Sequence, residues 1–245
     1  MNKIIVTGGY GFIASRLVLH FSKLGFEVII IEHPESICPD HLKEYEVIKH
    51  DITSSNIIED TRMNSCDVLL HLAAQSSGPR SFSIPGDDIK INILGTLNII
   101  DNMKKYKIPR IIFASSFVIY GDKEGREIIS EKDECLPKSV YAGSKLAAEH
   151  LLQNYAQPNG IKWNALRMFN VYGPGQDITK KDQGLVGIFM NMLLESNEVE
   201  VKGRLDRFRD LVYIDDVIQG WEACLNSGKA NKAYNLGSGK KVQFV

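Results

Sequence analysis

The sequence predicts an α/β fold in which helices cover both faces of a doubly wound parallel sheet. Two observations predict it. Short β-branched segments alternate with longer amphipathic segments along most of the chain. The segment Val28–Ile31 is also apolar throughout, as expected of a strand that is covered on both faces. Such alternation specifies a parallel sheet, and right-handed crossovers then build the Rossmann-type fold that binds dinucleotides.

The predicted elements follow one another from the N-terminus, and no linker rich in Pro, Gly or Ser divides them. The β-branched segments predict strands at Lys3–Thr7, Val28–Ile31, Val47–Lys49, Val68–Leu72, Arg110–Ser115 and Trp163–Arg167. Helical spacing of apolar residues predicts helices at Phe12–Leu24, Asp88–Tyr106 and Tyr141–Ala156. After about residue 170 the alternation loosens. We therefore expect residues 1–168 to form a Rossmann domain and residues 169–245 to form a partial substrate-binding lobe, with strands returning to the main sheet.

Length and composition exclude several classes of protein. The 245 residues are enough for one large domain, or for a domain with a small lobe. The net charge of −1, without a long run of Lys and Arg, argues against nucleic-acid binding. No apolar run reaches the roughly 18 residues of a membrane-spanning helix, and the apolar run at Met1–Thr7 is too short for a secretory signal. Four scattered cysteines predict a reduced, cytoplasmic protein, and six histidines without ligand spacing predict no metal site.

A glycine-rich turn lies between the first predicted strand and the first predicted helix. It has glycines at Gly8 and Gly11, and Ala14 stands where a third glycine is common. Glycine permits a tight turn and a close approach of the backbone to a pyrophosphate, and the helix N-terminus that follows attracts the anion. A purely structural turn is the alternative. The strand before the motif and the helix after it favour phosphate binding.

Two acidic residues follow neighbouring predicted strands. Glu32 ends the second strand, 24 residues after Gly8, where a carboxylate can bind the ribose hydroxyls of a dinucleotide and would repel a 2′-phosphate. The position of Glu32 therefore favours NAD over NADP. Asp51 follows the third strand and is a weaker candidate for the adenine amino group. A solvated charge at the end of a strand is the alternative for Glu32.

A tyrosine and a lysine lie four residues apart on the helix that is predicted to follow the fifth strand. This spacing places Tyr141 and Lys145 on one face of the helix, and the ammonium is expected to lower the pKa of the phenol toward neutrality. Such a tyrosine can exchange a proton with a sugar hydroxyl while a hydride moves to or from nicotinamide. Ser116 closes the fifth strand at the carboxyl end, where these sheets bind ligands. Taken alone, the Tyr-Lys spacing also occurs in ordinary surface pairs, and the serine could simply cap a turn.

Seven segments fall in the order found in one known family. They are Thr7–Ala14, His71–Gln75, Asn92–Thr96, Ser115–Gly121, Tyr141–Lys145, Arg167–Gln176 and Arg209–Val217. In this order the chain resembles the extended short-chain dehydrogenases of the NAD-dependent epimerase/dehydratase family, which includes UDP-glucose 4-epimerase. The resemblance runs from the first residue to the last. It implies NAD as the cofactor and a nucleotide-linked sugar, UDP-linked in the best-fitting branch, as the substrate.

The resemblance also implies roles for particular residues. It makes Tyr141 the acid/base that transfers the proton, Lys145 its activator and a ligand of the nicotinamide ribose, and Ser116 the hydroxyl that orients the substrate. Asn170 and Arg209 match positions that contact the nucleotide-sugar, where a planar guanidinium suits a phosphate. The cofactor contacts that it implies are Gly8, Gly11, Phe12, Ile13, Glu32, Asp51, Ile52, Leu72, Ala73, Ala74, Asn92, Ser115, Tyr141 and Lys145.

The residues after Ser116 bear on the reaction. In the 4,6-dehydratases that the chain resembles, an Asp-Glu pair at this place serves an elimination step, and related decarboxylases carry a Glu. Here the residues are Phe117 and Val118, which cannot transfer protons. Oxidation and re-reduction at C4 of the sugar therefore fits best, and the resemblance implies a 4-epimerase that acts through a transient 4-keto intermediate. A nucleotide-sugar reductase or dehydratase, and a catalytically weak NAD-binding fragment, remain the alternatives.

The C-terminus departs from the family pattern. The chain ends at residue 245, whereas the relatives that it resembles continue and complete the lobe over the sugar nucleotide. We expect either a fragment or a shortened homologue, with a substrate lobe that is truncated in both cases. The resemblance further implies a homodimer, in which the helix after the fourth strand pairs with the Tyr141 helix across a two-fold axis.

Overall fold

The computed structural model describes residues 3–122, 128–201 and 208–243. Seven strands form the main sheet: β1 (Lys3–Thr7), β2 (Glu27–Glu32), β3 (Glu46–Lys49), β4 (Val68–His71), β5 (Arg110–Ser116), β6 (Lys162–Met168) and β10 (Lys232–Leu236). Their order is β3-β2-β1-β4-β5-β6-β10, and every neighbouring pair is parallel. The predicted Rossmann-type parallel sheet is confirmed.

The strand residues divide between two hydrophobic cores, one on each face of the sheet. Along β1, Ile4 and Val6 belong to one core and Ile5 to the other, because successive side chains of a strand point to opposite faces. The first core lies under α1 (Phe12–Lys23) and α7 (Ile214–Ser227), which also pack against each other. The second lies under the helices on the opposite face. Both faces of the sheet are therefore apolar and covered, as the continuous β-branched segments predict.

The helices of the second face are α4 (Gly95–Tyr106) and α5 (Val140–Leu151). Before α4 the chain forms α3 (Pro85–Asp87) and then a π-helical segment, Asp88–Leu94, so the predicted helix Asp88–Tyr106 begins three residues earlier and changes its pitch. Another π-helical segment, Leu152–Ala156, continues α5 over the remainder of its predicted length. Such π-helical turns are often found at functional sites. A short helix, α2 (Gly78–Ser83), was not predicted.

The C-terminal part of the chain adds smaller elements at the carboxyl edge of the sheet. A parallel pair joins β7 (Asn170–Tyr172) to β9 (Leu211–Tyr213), and an antiparallel pair joins β8 (Phe208–Arg209) to β11 (Val242–Gln243). The helix α6 (Leu185–Ser196) lies beside β7. The strand β10 returns to the main sheet, while the division of the chain at residue 168 stays a prediction. Among the described residues, no helix is both long and apolar enough to cross a bilayer.

Candidate active site

The turn between β1 and α1 has the geometry of a phosphate cradle. Gly8 has a φ of +67°, and a Cβ there would lie 2.8 Å from the Cα of Ala73. Gly9 lies outside the Gly8–Gly11 pattern, but a Cβ on it would lie 2.6 Å from the side chain of Ile30, so this position is also restricted. The helix α1 begins after Gly11, which has no side chain to cap it. The first backbone N–H groups of α1 are therefore available to an anion.

A buried histidine fixes the edge of this cradle. The Oγ1 of Thr7 accepts hydrogen bonds from the backbone N–H groups of Leu72 and Ala73, both 3.1 Å long. It therefore donates its own proton to Nδ1 of His71, 2.7 Å away. On the other side, the Oγ1 of Thr96 donates to a backbone carbonyl and so accepts from Nε2 of His71 at 3.0 Å. Burial lowers the pKa of His71 to about 3, which keeps this neutral tautomer in place.

The carboxylate predicted to bind ribose lies at the end of β2. Glu32 accepts hydrogen bonds from the backbone N–H of Tyr10 at 2.9 Å and from the Oγ of Ser36 at 3.1 Å. Its carboxylate is therefore held in one orientation beside the glycine turn. Asp51 lies nearby and accepts from a backbone N–H at 2.9 Å. His50, which sequence reasoning missed, lines the same part of the cleft, and its Nε2 is buried without a partner among the described residues.

One cleft of about 1160 Å³ brings most of the predicted site residues together. Those that line it are Gly8, Gly11, Phe12, Ile13, Glu32, Asp51, Ile52, Leu72, Ala73, Ala74, Ser115, Ser116, Tyr141, Lys145 and Asn170. The structure does not place Asn92 or Arg209 among the lining residues. The cleft lies along the carboxyl ends of the strands, where open parallel sheets bind ligands.

The predicted catalytic residues meet at this cleft. Ser116 ends β5, while Tyr141 and Lys145 lie in the first two turns of α5. The Ser116 side chain is close enough to the Tyr141 phenol to influence its pKa. The Nζ of Lys145 is 6.0 Å from the centre of the Tyr141 ring and donates to the carbonyl of Ala114 at 3.0 Å. A reacting oxygen placed between the tyrosine and the serine could form a hydrogen bond with both hydroxyl groups.

The pKa expected for Tyr141 is corrected by the structure. Burial raises the pKa of Tyr141 to about 12, although the nearby side chain of Ser116 acts to lower it. Burial also lowers the pKa of Lys145 to about 7. At neutral pH the lysine therefore carries only part of a positive charge, and its Nζ is held by Ala114 rather than by the phenol. The sequence interpretation counted the charge of the lysine but not the loss of solvent around both groups.

Asn92 was predicted to contact the cofactor, but it lies behind the site. It is only 1% exposed. Its Oδ1 accepts from the backbone N–H of Gln75 at 2.9 Å, and its Nδ2 donates to the carbonyl of the same residue at 3.0 Å. The Nδ2 also donates to the Oγ of Ser144 at 2.9 Å. Asn92 thus joins the π-helical segment to α5, and it is not among the residues that line the cleft.

A buried ion pair, which the sequence did not reveal, lies beside the end of β5. Arg167 of β6 donates two hydrogen bonds to Glu149 of α5, from Nε at 3.1 Å and from Nη2 at 2.7 Å. The side chains are only 9% and 7% exposed. Glu149 also accepts from the Oγ of Ser115 at 2.5 Å. The pair therefore fixes the end of β5, and with it the backbone position of Ser116. The sequence signal that could have revealed this ion pair is a charged residue within an element that is predicted to be buried.

The two predicted substrate residues are placed differently. Asn170 lines the cleft, and its Nδ2 donates to the carbonyl of Asp210 at 2.9 Å. Arg209 lies outside the lining of the cleft, in the two-residue strand β8, and its Nη1 donates to the carbonyl of Phe208 at 2.8 Å. The phosphate contact of Arg209 stays a prediction. The conformation of β8 depends on its pairing with β11, which the local sequence does not specify.

An aromatic pair forms part of the wall beside Ser116. The rings of Phe117 and Phe169 are stacked, with centres 4.9 Å apart and planes at 13°. Both residues line the cleft, as does Val118. The wall formed by Phe117, Val118 and Phe169 beside Ser116 is therefore apolar and contributes no group that could exchange a proton.

The chemistry of the cleft fits a dinucleotide. The glycine turn leaves no room for a Cβ at Gly8, and the uncapped N-terminus of α1 suits a pyrophosphate. A fixed carboxylate, that of Glu32, lies at the adjacent strand end for ribose hydroxyls. Among the described residues, the Nζ of Lys145 has a single hydrogen-bond acceptor, the carbonyl of Ala114, so N–H groups remain for a second ribose.

Comparison with known proteins identifies the family. The profile of the NAD dependent epimerase/dehydratase family matches residues 4–237, and the chain belongs to this family, whose cofactor is NAD. A protein of Methanocaldococcus jannaschii described as a putative UDP-glucose 4-epimerase is 33% identical over 241 residues, which cover 98% of this chain and 78% of the relative. A dTDP-D-glucose 4,6-dehydratase of Dictyostelium discoideum is 29% identical, and the match covers 97% of this chain and 58% of that protein.

Solved structures give the same result. The UDP-glucose 4-epimerase of Thermotoga maritima, solved with UDP-glucose, superposes with a TM-score of 0.87 at 29% identity and covers 99% of this chain and 79% of its own. The UDP-glucose 4-epimerase of Thermus thermophilus, solved with NAD, gives a TM-score of 0.84 at 31% identity, with the same coverage. Both epimerases and dehydratases are thus similar to this chain, so similarity alone does not select the reaction.

Proposed function

We propose that this chain is an NAD-dependent nucleotide-sugar epimerase, which inverts the configuration at C4 of a UDP-linked sugar through a transient 4-keto intermediate. The convergence of Ser116, Tyr141 and Lys145 on the cleft that holds the glycine turn carries this proposal. Oxidation and reduction of a secondary alcohol need a cofactor site and one proton-transferring group side by side, and the cleft provides both.

Each of the proposed catalytic residues would have a separate role in the reaction. Tyr141 takes the proton from the C4 hydroxyl during oxidation and returns it during reduction, while Ser116 holds the reacting oxygen by a hydrogen bond. When bound, NAD supplies hydride transfer to and from C4. Because the pKa of Tyr141 is raised to about 12, the phenol is protonated at neutral pH, which is the form needed to reduce a ketone. The oxidation step needs positive charge near the phenol, and the ammonium of Lys145 is the nearest source in the chain.

The apolar wall favours epimerisation over dehydration. A 4,6-dehydration removes water across a second carbon–carbon bond and so needs further groups that transfer protons. Phe117 and Val118 line the cleft directly after Ser116, and neither side chain can do so. A keto-sugar reductase would use the same catalytic residues, but it would consume external NADH steadily instead of recycling the cofactor in place. A catalytically weak NAD-binding protein would bind NAD and form no epimer.

The nature of the substrate is proposed from the relatives. The M. jannaschii, T. maritima and T. thermophilus relatives described above carry the name UDP-glucose 4-epimerase, and the T. maritima structure holds UDP-glucose. A UDP-linked hexose is therefore the first substrate to test. The cleft volume of about 1160 Å³ is large enough for a cofactor and a sugar nucleotide together.

We also propose a homodimer and a cytoplasmic location. Three large apolar side chains in and beside the helical segment after β4 are exposed: Ile84 (47%), Ile89 (55%) and Leu94 (39%). A second copy of the chain would cover this apolar surface. Sedimentation analysis of Ile89→Glu tests this, since a dimer that uses this surface should dissociate and a monomer in both proteins would refute it. No disulfide joins the cysteines of the described residues, which is in keeping with a reducing compartment.

The test is an assay for epimer formation. Purified protein is incubated with NAD and a panel of UDP-sugars, and C4 epimers are followed by NMR. We expect interconversion of at least one pair, and Tyr141→Phe should abolish it while NAD binding, measured by calorimetry, stays nearly intact. Tyr155→Phe is the matched control, because it removes a tyrosine hydroxyl that bonds Asp101 away from the cleft. Turnover that survives in Tyr141→Phe would refute the proposal.

A further inference from the structure

A buried carboxylate without an ion-pair partner lies behind the catalytic helix. Asp88, the first residue of the π-helical segment, is 0% exposed. Among the described residues, no Lys or Arg nitrogen lies within ion-pair distance of its carboxylate, in contrast to Glu149, which is paired with Arg167. A buried charge is costly unless another group compensates for it. The lack of an ion-pair partner for this buried carboxylate raises the question of what Asp88 contributes.

Two amide side chains hold this carboxylate. The Nε2 of Gln75 donates to both of its oxygens, at 3.1 and 3.2 Å, and the Nδ2 of Asn92 lies 3.4 Å from Oδ1. The remaining hydrogen-bonding capacity of Gln75 is used by the backbone of Ser77, so the amide cannot rotate freely. Asp88 is therefore fixed in one orientation by neutral donors, which leave its charge uncancelled.

The same amides connect Asp88 to the catalytic helix. The Nδ2 of Asn92 also donates to the Oγ of Ser144, 2.9 Å away, and that hydroxyl donates to the backbone carbonyl of Tyr141 at 2.8 Å. Ser144 is the residue directly before Lys145. A short chain of hydrogen bonds thus joins the carboxylate to the backbone that carries both catalytic groups.

Lys145 is the complementary case. It is 3% exposed, and no carboxylate among the described residues lies within ion-pair distance of its Nζ. The amine of Lys145 and the carboxyl group of Asp88 are therefore two buried ionisable groups on neighbouring elements, and among the described residues neither has a direct ion-pair partner. The negative charge of Asp88 raises the pKa of Lys145 against the lowering by burial, and Glu149 acts in the same direction. His71 on β4 is neutral because burial lowers its pKa, so it contributes no charge to the surroundings of Lys145.

We propose that Asp88 is a positioning residue, which keeps the ammonium of Lys145 charged beside Tyr141 and fixes the start of α5 through Asn92 and Ser144. Asp88 does not line the cleft, so it acts through these residues and not on the substrate. The catalytic importance of Lys145 rests on the proposed function, but the electrostatic coupling does not. The coupling can therefore be measured without a substrate.

The experiment measures the titration of Lys145 directly. Lysine side chains are labelled with carbon-13 at Cε, the Lys145 signal is assigned with Lys145→Met, and its midpoint is followed by NMR in the protein without substrate. The wild type should titrate near pH 7. We expect Asp88→Asn, which keeps the shape and removes the charge, to lower the midpoint by roughly one pH unit or more. Asp101→Asn, an exposed acid on the adjoining helix α4, should leave it unchanged.

A midpoint that is the same in wild type and Asp88→Asn would overturn the proposal. If the variant does not fold, the carboxyl carbon of Asp88 is followed in the wild type, where it should carry the shift of an ionised group through the pH range in which Lys145 titrates. A protonated Asp88 in that range would equally overturn it. Failure of the wild type to form any epimer would count against the proposed function alone, because neither titration depends on turnover.

Discussion

Replacing Arg167 with methionine tests the buried ion pair under the active site. The change removes two charge-assisted hydrogen bonds to Glu149, at 3.1 and 2.7 Å, and a third to the hydroxyl of Tyr120 at 2.7 Å. Methionine fills much of the same volume, so the main cost is the buried carboxylate of Glu149, which keeps only its bond from Ser115. Breaking one side of a buried pair costs about 3–5 kcal/mol.

This cost translates into a measurable loss of stability. For a chain of this size, each kcal/mol lowers the melting temperature by about 2–4 °C, so Arg167→Met should melt roughly 6–20 °C below the wild type. Urea unfolding followed by circular dichroism should show a correspondingly lower midpoint. Lys181→Met is the matched control, because it breaks an exposed ion pair with Glu195 and should leave the melting temperature nearly unchanged.

A double variant separates the charge from the packing. Arg167→Met combined with Glu149→Leu removes both charges, and apolar replacement of a whole buried pair is often neutral or stabilising. The double variant should therefore recover part of the stability that Arg167→Met loses. If Arg167→Met melts with the wild type, or if the double variant is less stable than the sum of the single changes, the reasoning about an uncompensated buried carboxylate is wrong.

Two further predictions follow from the cradle. Gly8→Ala should weaken NAD binding by at least about tenfold in calorimetry, because the new Cβ would lie 2.8 Å from the backbone of Ala73 at a φ of +67°. His71→Asn should flatten the pH dependence of stability. The pKa of His71 in the folded state is about 3, below the ordinary 6.5. Below about pH 6.5 the unfolded chain therefore binds a proton that the folded chain does not. The free energy of unfolding of the wild type then falls by up to about 1.4 kcal/mol for each pH unit.

Each of these predictions has a control. Gly25 also has a positive φ, +86°, but a Cβ there meets nothing within 4 Å, so Gly25→Ala should lower stability without changing the affinity for NAD. An equal loss of affinity in both glycine variants would contradict the argument from the cradle. For His71, the measurement is the urea midpoint at several pH values between about 5 and 7, and an identical slope in the variant would show that another group titrates there.

Much of the fold could be predicted from the sequence because it depends on local patterns. Strands such as Val28–Ile31 are apolar throughout, and the structure extends this one by only one residue at each end. The glycine turn and the Tyr141–Lys145 spacing are also local, since a few residues determine a tight turn or the face of a helix. The segments without a strong period were harder. The seventh strand of the sheet, Lys232–Leu236, is polar in part and was expected only as an unspecified return of the chain.

The functional roles assigned to the site residues stay predictions, although most of the residues line one cleft. Two of the predicted residues, Asn92 and Arg209, are not among the residues that line the cleft, for reasons that lie outside any local segment. Asn92 is turned away from the cleft by its pairing with Gln75, and Arg209 is placed by a strand pairing with Val242. The contacts that decide both positions join residues far apart in the chain.

The sequence by itself therefore determined the class of fold and the glycine turn, and it predicted Tyr141 and Lys145 as the catalytic pair. Only the tertiary structure decided how those groups are charged. Burial raises the pKa of Tyr141 and lowers that of Lys145, while Asp88, 57 positions before Lys145 in the chain, acts on both. The physical reason is that spacing along a helix depends on neighbouring residues. Desolvation and charge–charge interaction instead depend on everything that the fold packs around a group.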